Sequence, residues 1–269
     1  MFDVYGKVAL VTGGASGLGF LYVKELLRNG IKGVTIADTN DVFGERAIEE
    51  IKNEYGDEKA IFVNVDVSDK YQLEEAFKST IQVFENIDIV INNAGILNDA
   101  NWEKEIQVNL NGTVNGTLLA FDHYIATYKS GAEGAIINIS SIGGLDAFAT
   151  APIYTASKFG IVGLGQAYGS KLHYERNNIK VVTVCPGFTL ASLSDVVNHD
   201  SLLGTAYSKI MHKEYDSIPV QSPTFLAKSV ISIIQQSEPG SVWVVEGEES
   251  PYEVEFPNRL LRKKKKQNL

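Results

Sequence analysis

Cysteine is almost absent. Cys185 is the only one in 269 residues, which excludes an internal disulfide and suits a reducing, cytoplasmic setting. Its place at a strand end points to core packing rather than reactivity. No run approaches the ~18 apolar residues of a membrane span. The N-terminus carries Asp3 and enters the first strand at once, so neither a signal peptide nor an integral span is expected. Positive charge is scarce too: a formal net charge of −9 argues against general nucleic-acid affinity. The exception is the end, 257–269, with Arg259, Arg262 and the lysines at 263–266. Such a run can touch anionic lipid or nucleic acid or act as an address, but it reads first as a solubilising tail. No metal site is expected. With 44% hydrophobic residues and no repeat or linker, the chain reads as one domain, 1–256, followed by the tail.

What is present is strand and helix in alternation. Apolar runs at 34–37, 61–65, 87–91, 135–139, 181–184 and 242–245 are separated by helical patterns, which implies a parallel sheet covered on both faces. Ahead of them, Lys7-Val-Ala-Leu-Val11 suits a buried strand. It runs into Thr12-Gly-Gly-Ala-Ser-Gly-Leu-Gly19 and then into a helix with Leu18, Tyr22, Val23, Leu26 and Leu27 on one side. Gly13, Gly17 and Gly19 permit a tight strand-to-helix turn. They leave room for a pyrophosphate at the helix N-terminus, where free N–H groups point outward.

The second pattern is Tyr154 four residues before Lys158, with Ser140 and Ser141 one loop upstream. Four residues is one helical turn, so the phenol and the ammonium share a helix face. An unperturbed phenol, with a pKa of about 10, is a poor base at neutral pH; bringing it near 7 takes roughly 4 kcal/mol. A cation one turn away supplies part of that. A packed ring beside a solvated charge is the plain alternative for such a pair.

Joined to the Gly-x-x-x-Gly-x-Gly spacing, Tyr154 and Lys158 resemble the short-chain dehydrogenase/reductase family. Asn92-Asn-Ala-Gly95, Asn109 and Pro186-Gly187 match further family motifs in the right order, from Gly6 to about Phe256. Within the family, Asn101-Trp-Glu-Lys104, Gly160-Ile-Val-Gly163 and Cys185-Pro-Gly-Phe188 are similar to the NAD-linked 15-hydroxyprostaglandin dehydrogenases. Gly240-Ser-Val-Trp-Val-Val245 is similar both to these and to the insect-type alcohol dehydrogenases. The resemblance implies an α/β, Rossmann-like, doubly wound parallel sheet of seven strands, with ligands beyond the strands' carboxyl ends.

The resemblance also implies a catalytic set of Asn109, Ser141, Tyr154 and Lys158. Tyr154 is then the general base, and Lys158 holds its pKa down and bonds the nicotinamide ribose. Ser141 orients the reacting oxygen, Ser140 packs, and Asn109 holds a water linking Lys158 to solvent. The cofactor would lie along Gly13, Ala15, Ser16, Gly17, Leu18 and Gly19, then Asp66 and Val67 at the adenine, and Asn93, Ala94 and Gly95 near the adenosine ribose. Tyr154, Lys158, Pro186, Gly187, Phe188 and Thr189 would meet its nicotinamide end. Asp38, ending the second strand, can accept bonds from ribose hydroxyls and repels a 2′-phosphate, so NAD is expected over NADP. Asp66, Ser68 and Asp69 are also candidate helix caps.

Substrate choice is expected to come from a lid at about 188–222, including Leu193, Val196, Val197, Leu202, Leu203, Tyr207, Ile210 and Met211. Leu145, Phe148, Ala149 and Ala151 would form the opposite wall. With no cation there, the expected substrate is a lipophilic, secondary alcohol or the matching ketone. Ala151 stands where prostaglandin-type members carry glutamine, which counts against a strict prostaglandin substrate. Three readings stay open: an NAD-dependent alcohol dehydrogenase, an NADH-linked ketone reductase, and a catalytically silent NAD-binding scaffold. The family's assembly through helices near 103–129 and 154–177 implies a homodimer or homotetramer.

Overall fold

Most of the apolar runs become strands whose two faces are both buried, while Ala60–Asn64 at the sheet's edge is only partly covered. The computed structural model describes residues 1–190, 201–207, 209–210 and 218–261. Strands β1 (Val8–Thr12), β2 (Gly33–Asp38), β3 (Ala60–Asn64), β4 (Ile89–Asn92), β5 (Gly134–Ile139), β6 (Ile179–Pro186), β9 (Val242–Val245) and β10 (Tyr252–Glu253) form one sheet. Its order is β3-β2-β1-β4-β5-β6-β9-β10. The first seven in that order are parallel, as expected; the eighth, β10, is a short antiparallel addition on β9. It escaped the sequence pattern because two exposed residues, Tyr252 and Glu253, carry no apolar run. A parallel ribbon of β7 (Phe188–Thr189) and β8 (Val220–Gln221) lies outside the sheet.

Helices α1 (Gly17–Arg28), α2 (Asp41–Tyr55) and α9 (Pro223–Gln236) cover one face. There Tyr22, Leu26, Ile51, Val230 and Ile234 join Val11, Ile36 and Ile91 in one core. On the other face, Phe77 of α3 (Lys70–Phe84) and Phe121 pack on Leu10, Val90 and Ile136. Each such side chain contributes on the order of 1.5–3 kcal/mol by leaving water. β1 pairs with β2 on one side and β4 on the other. That reversal of strand order opens a crevice at the carboxyl ends.

The stretch from 102 to 128 is one helical rod: α4 (Trp102–Ile106), α5 (Gly112–Leu118) and α6 (Ile125–Tyr128) joined by π-type turns at Gln107–Asn111 and Leu119–Tyr124. In these turns Gly112 N–H reaches Gln107 O, and Ile125 N–H reaches Ala120 O. The second long helix is shorter than expected. α7 (Pro152–Tyr168) ends at Gly169, and α8 (Lys171–Asn177) restarts after Ser170. At Gly169 any Cβ would strike the backbone of Gly240, so the chain turns where two backbones touch. Among the described residues no helix is long and apolar enough to cross a membrane.

Candidate active site

The glycine turn after β1 is bent by Gly13 (φ 62°) and Gly17 (φ 53°), left-handed conformations that cost other residues roughly 1–2 kcal/mol. A Cβ at Gly19 would run into the Gly13 carbonyl. Ser16 precedes α1 without a side-chain cap on its first N–H groups, which leaves the helix N-terminus open to an anion. Asn93 ties this turn down rather than pointing only outward. Its Nδ2 donates to Thr12 O (2.9 Å) and Gly13 O (3.3 Å), while its own N–H donates to Thr12 Oγ1 (2.9 Å).

Asp38 ends β2 at the rim of the crevice. Its Oδ2 accepts Ala15 N–H (3.1 Å) and its Oδ1 accepts Asn40 N–H (3.1 Å), so the carboxylate is fixed against the turn. The next strand end carries Asp66, whose Oδ1 accepts both the N–H (2.9 Å) and the hydroxyl (2.6 Å) of Ser68. Lys104 of α4 meets Asp66 Oδ2 at 2.6 Å. Despite partial burial, these partners hold the Asp66 carboxyl below its ordinary range. The cap of α3 is instead Asp69, which accepts Tyr71 N–H (2.9 Å).

Tyr154 and Lys158 stand one turn apart on α7, both buried, with Lys158 Nζ 5.5 Å from the Tyr154 ring centroid. Nζ donates to Ile139 O at the end of β5 (3.1 Å). Burial pushes the Lys158 ammonium down to about 8. Ser141, on the loop after β5, accepts Gly143 N–H on its Oγ (3.0 Å). That bond leaves its hydroxyl proton free to turn toward a ligand oxygen. Ser140 plays the packing part: its hydroxyl donates to Lys158 O (2.9 Å) and locks β5 to α7. Asn109 lies in the first π-type turn, fully buried. Its side chain accepts Ile96 N–H (2.8 Å) and donates to Ile96 O (2.8 Å) and Ser157 Oγ (3.2 Å).

These elements enclose a single cleft of about 660 Å³ running from Asp38 and the glycine turn to Ser141 and Tyr154. Among the expected cofactor residues, Gly13, Ser16, Gly17, Leu18, Gly19, Asp38, Asp66, Val67, Asn93, Ala94, Gly95, Pro186, Gly187, Phe188 and Thr189 line it. Ala15 does not; its N–H is spent on Asp38. Ser141, Tyr154, Lys158 and Phe148 line the other end. Leu145 and Ala151 are not among the residues lining the cleft: Leu145 packs against the cluster of Val162, Cys185, Val242 and Val244, and Ala151 is buried in the cap position of α7. Ala149 is exposed. In the expected lid, Leu202 is buried and Leu203 and Ile210 are exposed. Leu193, Val196, Val197 and Met211 lie outside the described residues, as do 262–269 of the tail.

Sequence reasoning passed over Ile96, Leu97, Lys104, Val108, Ile139 and Ile142, which also line the cleft. Lys104 carries no sequence signal of its own, since a lysine on a helix is usually solvated; its bond to Asp66 is what brings it to the cleft. The apolar ones read as ordinary core. Cys185 is fully buried and burial pushes its thiol up, so it is a packing residue. Among the described residues no three His, Cys, Asp or Glu side chains gather as metal ligands do.

Comparison with known proteins identifies the family. The family model described as short chain dehydrogenase matches residues 7–202. The 15-hydroxyprostaglandin dehydrogenases [NAD(+)] of Rattus norvegicus and Homo sapiens are each 34% identical to this chain over 237 residues, covering 86% of it and 87% of each relative. Alcohol dehydrogenase 1 of Ceratitis capitata is 30% identical over 239 residues, covering 89% of this chain and 91% of its own. With a family match over most of its length and relatives aligned over 86% of it, the chain belongs to the short-chain dehydrogenase family of oxidoreductases.

Proposed function

We propose that this chain is a cytoplasmic, NAD-dependent alcohol dehydrogenase that oxidises a lipophilic, secondary alcohol. One observation carries the reading: Ser141, Tyr154 and Lys158 meet at one end of the cleft whose other end is the open helix N-terminus and Asp38. The open N-terminus and the glycine turn fit a dinucleotide's pyrophosphate, and Asp38 fits two ribose hydroxyls while repelling a 2′-phosphate. The relatives named for NAD(+) and for alcohol oxidation support the same choice. NAD, when bound, supplies the hydride acceptor.

The chain's own groups handle the oxygen. Ser141 Oγ–H bonds the substrate oxygen and fixes its direction. Tyr154 Oη takes the hydroxyl proton as general base, and the buried Lys158 charge steadies the phenolate. Ile142, Phe148 and Phe188 give the cleft an apolar lining, which suits a hydrocarbon-rich alcohol over a sugar or a phosphorylated substrate. The test is formation of reduced nicotinamide from NAD or NADP with a panel of lipophilic alcohols and 15-hydroxy fatty acids. NAD should be preferred about tenfold or more, and Asp38→Ala should erase most of that preference. An unchanged cofactor ratio in Asp38→Ala would overturn the assignment of Asp38. Tight NADH binding with no turnover of any alcohol would point to a silent scaffold.

The same reading includes a homodimer at least. The outward side of α7 presents Ala156, Phe159, Gly163 and Ala167 to solvent, and Trp102 is exposed on α4. Gly165 and Gly169, by contrast, face this chain's own sheet against Thr183 and Gly240. A small-residue face with one protruding ring fits a second copy's helix. Sedimentation at micromolar concentration should give at least twice the chain's 29.4 kDa; a single-chain mass contradicts it.

A further inference from the structure

The helix that carries Tyr154 has no cap of its own. α7 begins with Ala151 in the cap position and Pro152 after it, and an alanine side chain accepts nothing. The cap comes from across the cleft wall. Asp99, fully buried, accepts Ile153 N–H on Oδ2 (2.8 Å) and Tyr154 N–H on Oδ1 (3.0 Å).

Behind Asp99 stands a second buried carboxyl, Glu105 of α4, also with no exposed surface. Its Oε1 accepts Asn98 N–H (2.9 Å). Among the described residues nothing donates to its Oε2. The bond from Asn98, the residue before Asp99, sets the two buried carboxyls side by side, and Asp99 raises the Glu105 carboxyl. Two carboxylates cannot bond without a proton between them, and both Asp99 oxygens already accept N–H groups. The proton therefore belongs on Glu105 Oε2, from which it donates to Asp99.

We propose that Glu105, as a neutral acid, and Asp99, as its carboxylate partner, form a positioning pair for the catalytic tyrosine: the shared proton holds Asp99, and Asp99 holds the Tyr154 end of α7. The charged groups facing the pair are few. Lys158 faces it from α7 and favours negative charge, while Asp99 itself opposes a second one. On α4, Glu103 is exposed and Lys104 is engaged with Asp66. Burial first, and then Asp99, push the Glu105 carboxyl up to about 8. Above that pH two anions face each other beneath Tyr154, and the cap loosens.

The importance of the pair for catalysis rests on Tyr154 being the base, but the existence of the shared proton does not. Infrared difference spectroscopy of the whole chain should show a protonated carboxyl stretch at neutral pH. That band should vanish as pH rises through about 8 and be absent in Glu105→Gln. The folded value lies above the ordinary 4.5. The pair's contribution to stability is therefore full at low pH and is lost as pH climbs from that value to about 8. The wild-type unfolding midpoint should fall across that window relative to Glu105→Gln, whose amide donates to Asp99 at every pH.

In turnover, Glu105→Gln should keep kcat within about threefold, and Glu105→Leu should lower kcat about tenfold or more with little change in KM. A missing carboxyl band, together with parallel midpoint curves for wild type and Glu105→Gln, would overturn the shared proton. Equal kcat in all three proteins would overturn the positioning role. A wild type that oxidises no alcohol would count against the proposed function, while the infrared and unfolding data still decide the pair.

Discussion

Tyr154→Phe should lose turnover by at least about 10³-fold while binding NAD as the wild type does. The expectation rests on how little else the substitution changes. Tyr154 is buried, its backbone N–H stays bonded to Asp99, and a phenylalanine ring fills the same space. The ring face that Lys158 Nζ approaches at 5.5 Å is kept as well. What disappears is one oxygen, the only group on α7 suited to take the alcohol's proton. Ser141 does not replace it, because a hydroxyl that accepts Gly143 N–H is a donor toward the substrate and a very weak base. Binding should be spared because the glycine turn, Asp38 and Asp66 lie at the other end of the cleft. Binding is read from the fluorescence of added NADH, and turnover from its formation. Activity within about tenfold of wild type would remove Tyr154 from the role of base.

The sheet was legible because its central strands are buried on both faces. Runs such as Val8 to Val11 and Val242 to Val245 need no partner to be recognised. β10 was not legible, because an exposed two-residue edge strand draws its stability from backbone bonds to β9 rather than from its own side chains. The same contrast divides the site. The glycines announce themselves because a tight turn beside a helix end tolerates no side chain. Ser141 and Ser140 could be told apart only by likeness to the family; both line the cleft, but the Ser140 hydroxyl donates to the Lys158 carbonyl while Ser141 Oγ accepts Gly143 N–H.

Leu145 and Ala151 lie close to Tyr154 in sequence, yet neither lines the cleft; Leu145 packs instead against Val162, Cys185, Val242 and Val244. Ala151 held a different clue. An alanine followed by Pro152 at the start of a helix leaves the first N–H groups without a local acceptor. An acceptor from elsewhere was therefore required, and it is Asp99, 55 positions before Tyr154. Such long-range capping has no periodicity to betray it. Glu105 was hidden for a related reason: a glutamate on a helix is usually solvated, and only packing shows that this one is buried.

Lys158→Met should separate catalysis from stability. A unit charge 5.5 Å from the ring centroid is worth roughly 3 kcal/mol to a phenolate at an effective dielectric of about 20. That is most of the roughly 4 kcal/mol needed to bring a phenol from about 10 to neutral pH. Without the charge, the phenolate fraction at pH 7 and with it kcat should drop by about 10²–10³-fold. The lost rate should return progressively as pH is raised toward the ordinary phenol range. Stability should move the other way. The buried ammonium titrates at about 8 rather than 10.5, so the folded state holds the proton less tightly than the unfolded chain does. Keeping Lys158 charged therefore opposes folding below about pH 8, by roughly 3 kcal/mol, and the burden lifts as pH rises from there toward 10.5. Methionine removes that burden and forfeits one hydrogen bond to Ile139 O, worth about 1 kcal/mol. The variant should thus unfold at the same temperature as wild type or higher at pH 7, yet be nearly inactive. If its midpoint fell together with its activity, Lys158 would be a structural residue. If kcat were unchanged, the phenol would not depend on its charge. A stable, slow enzyme whose rate recovers in alkali is the outcome that ties the buried cation to the work of Tyr154.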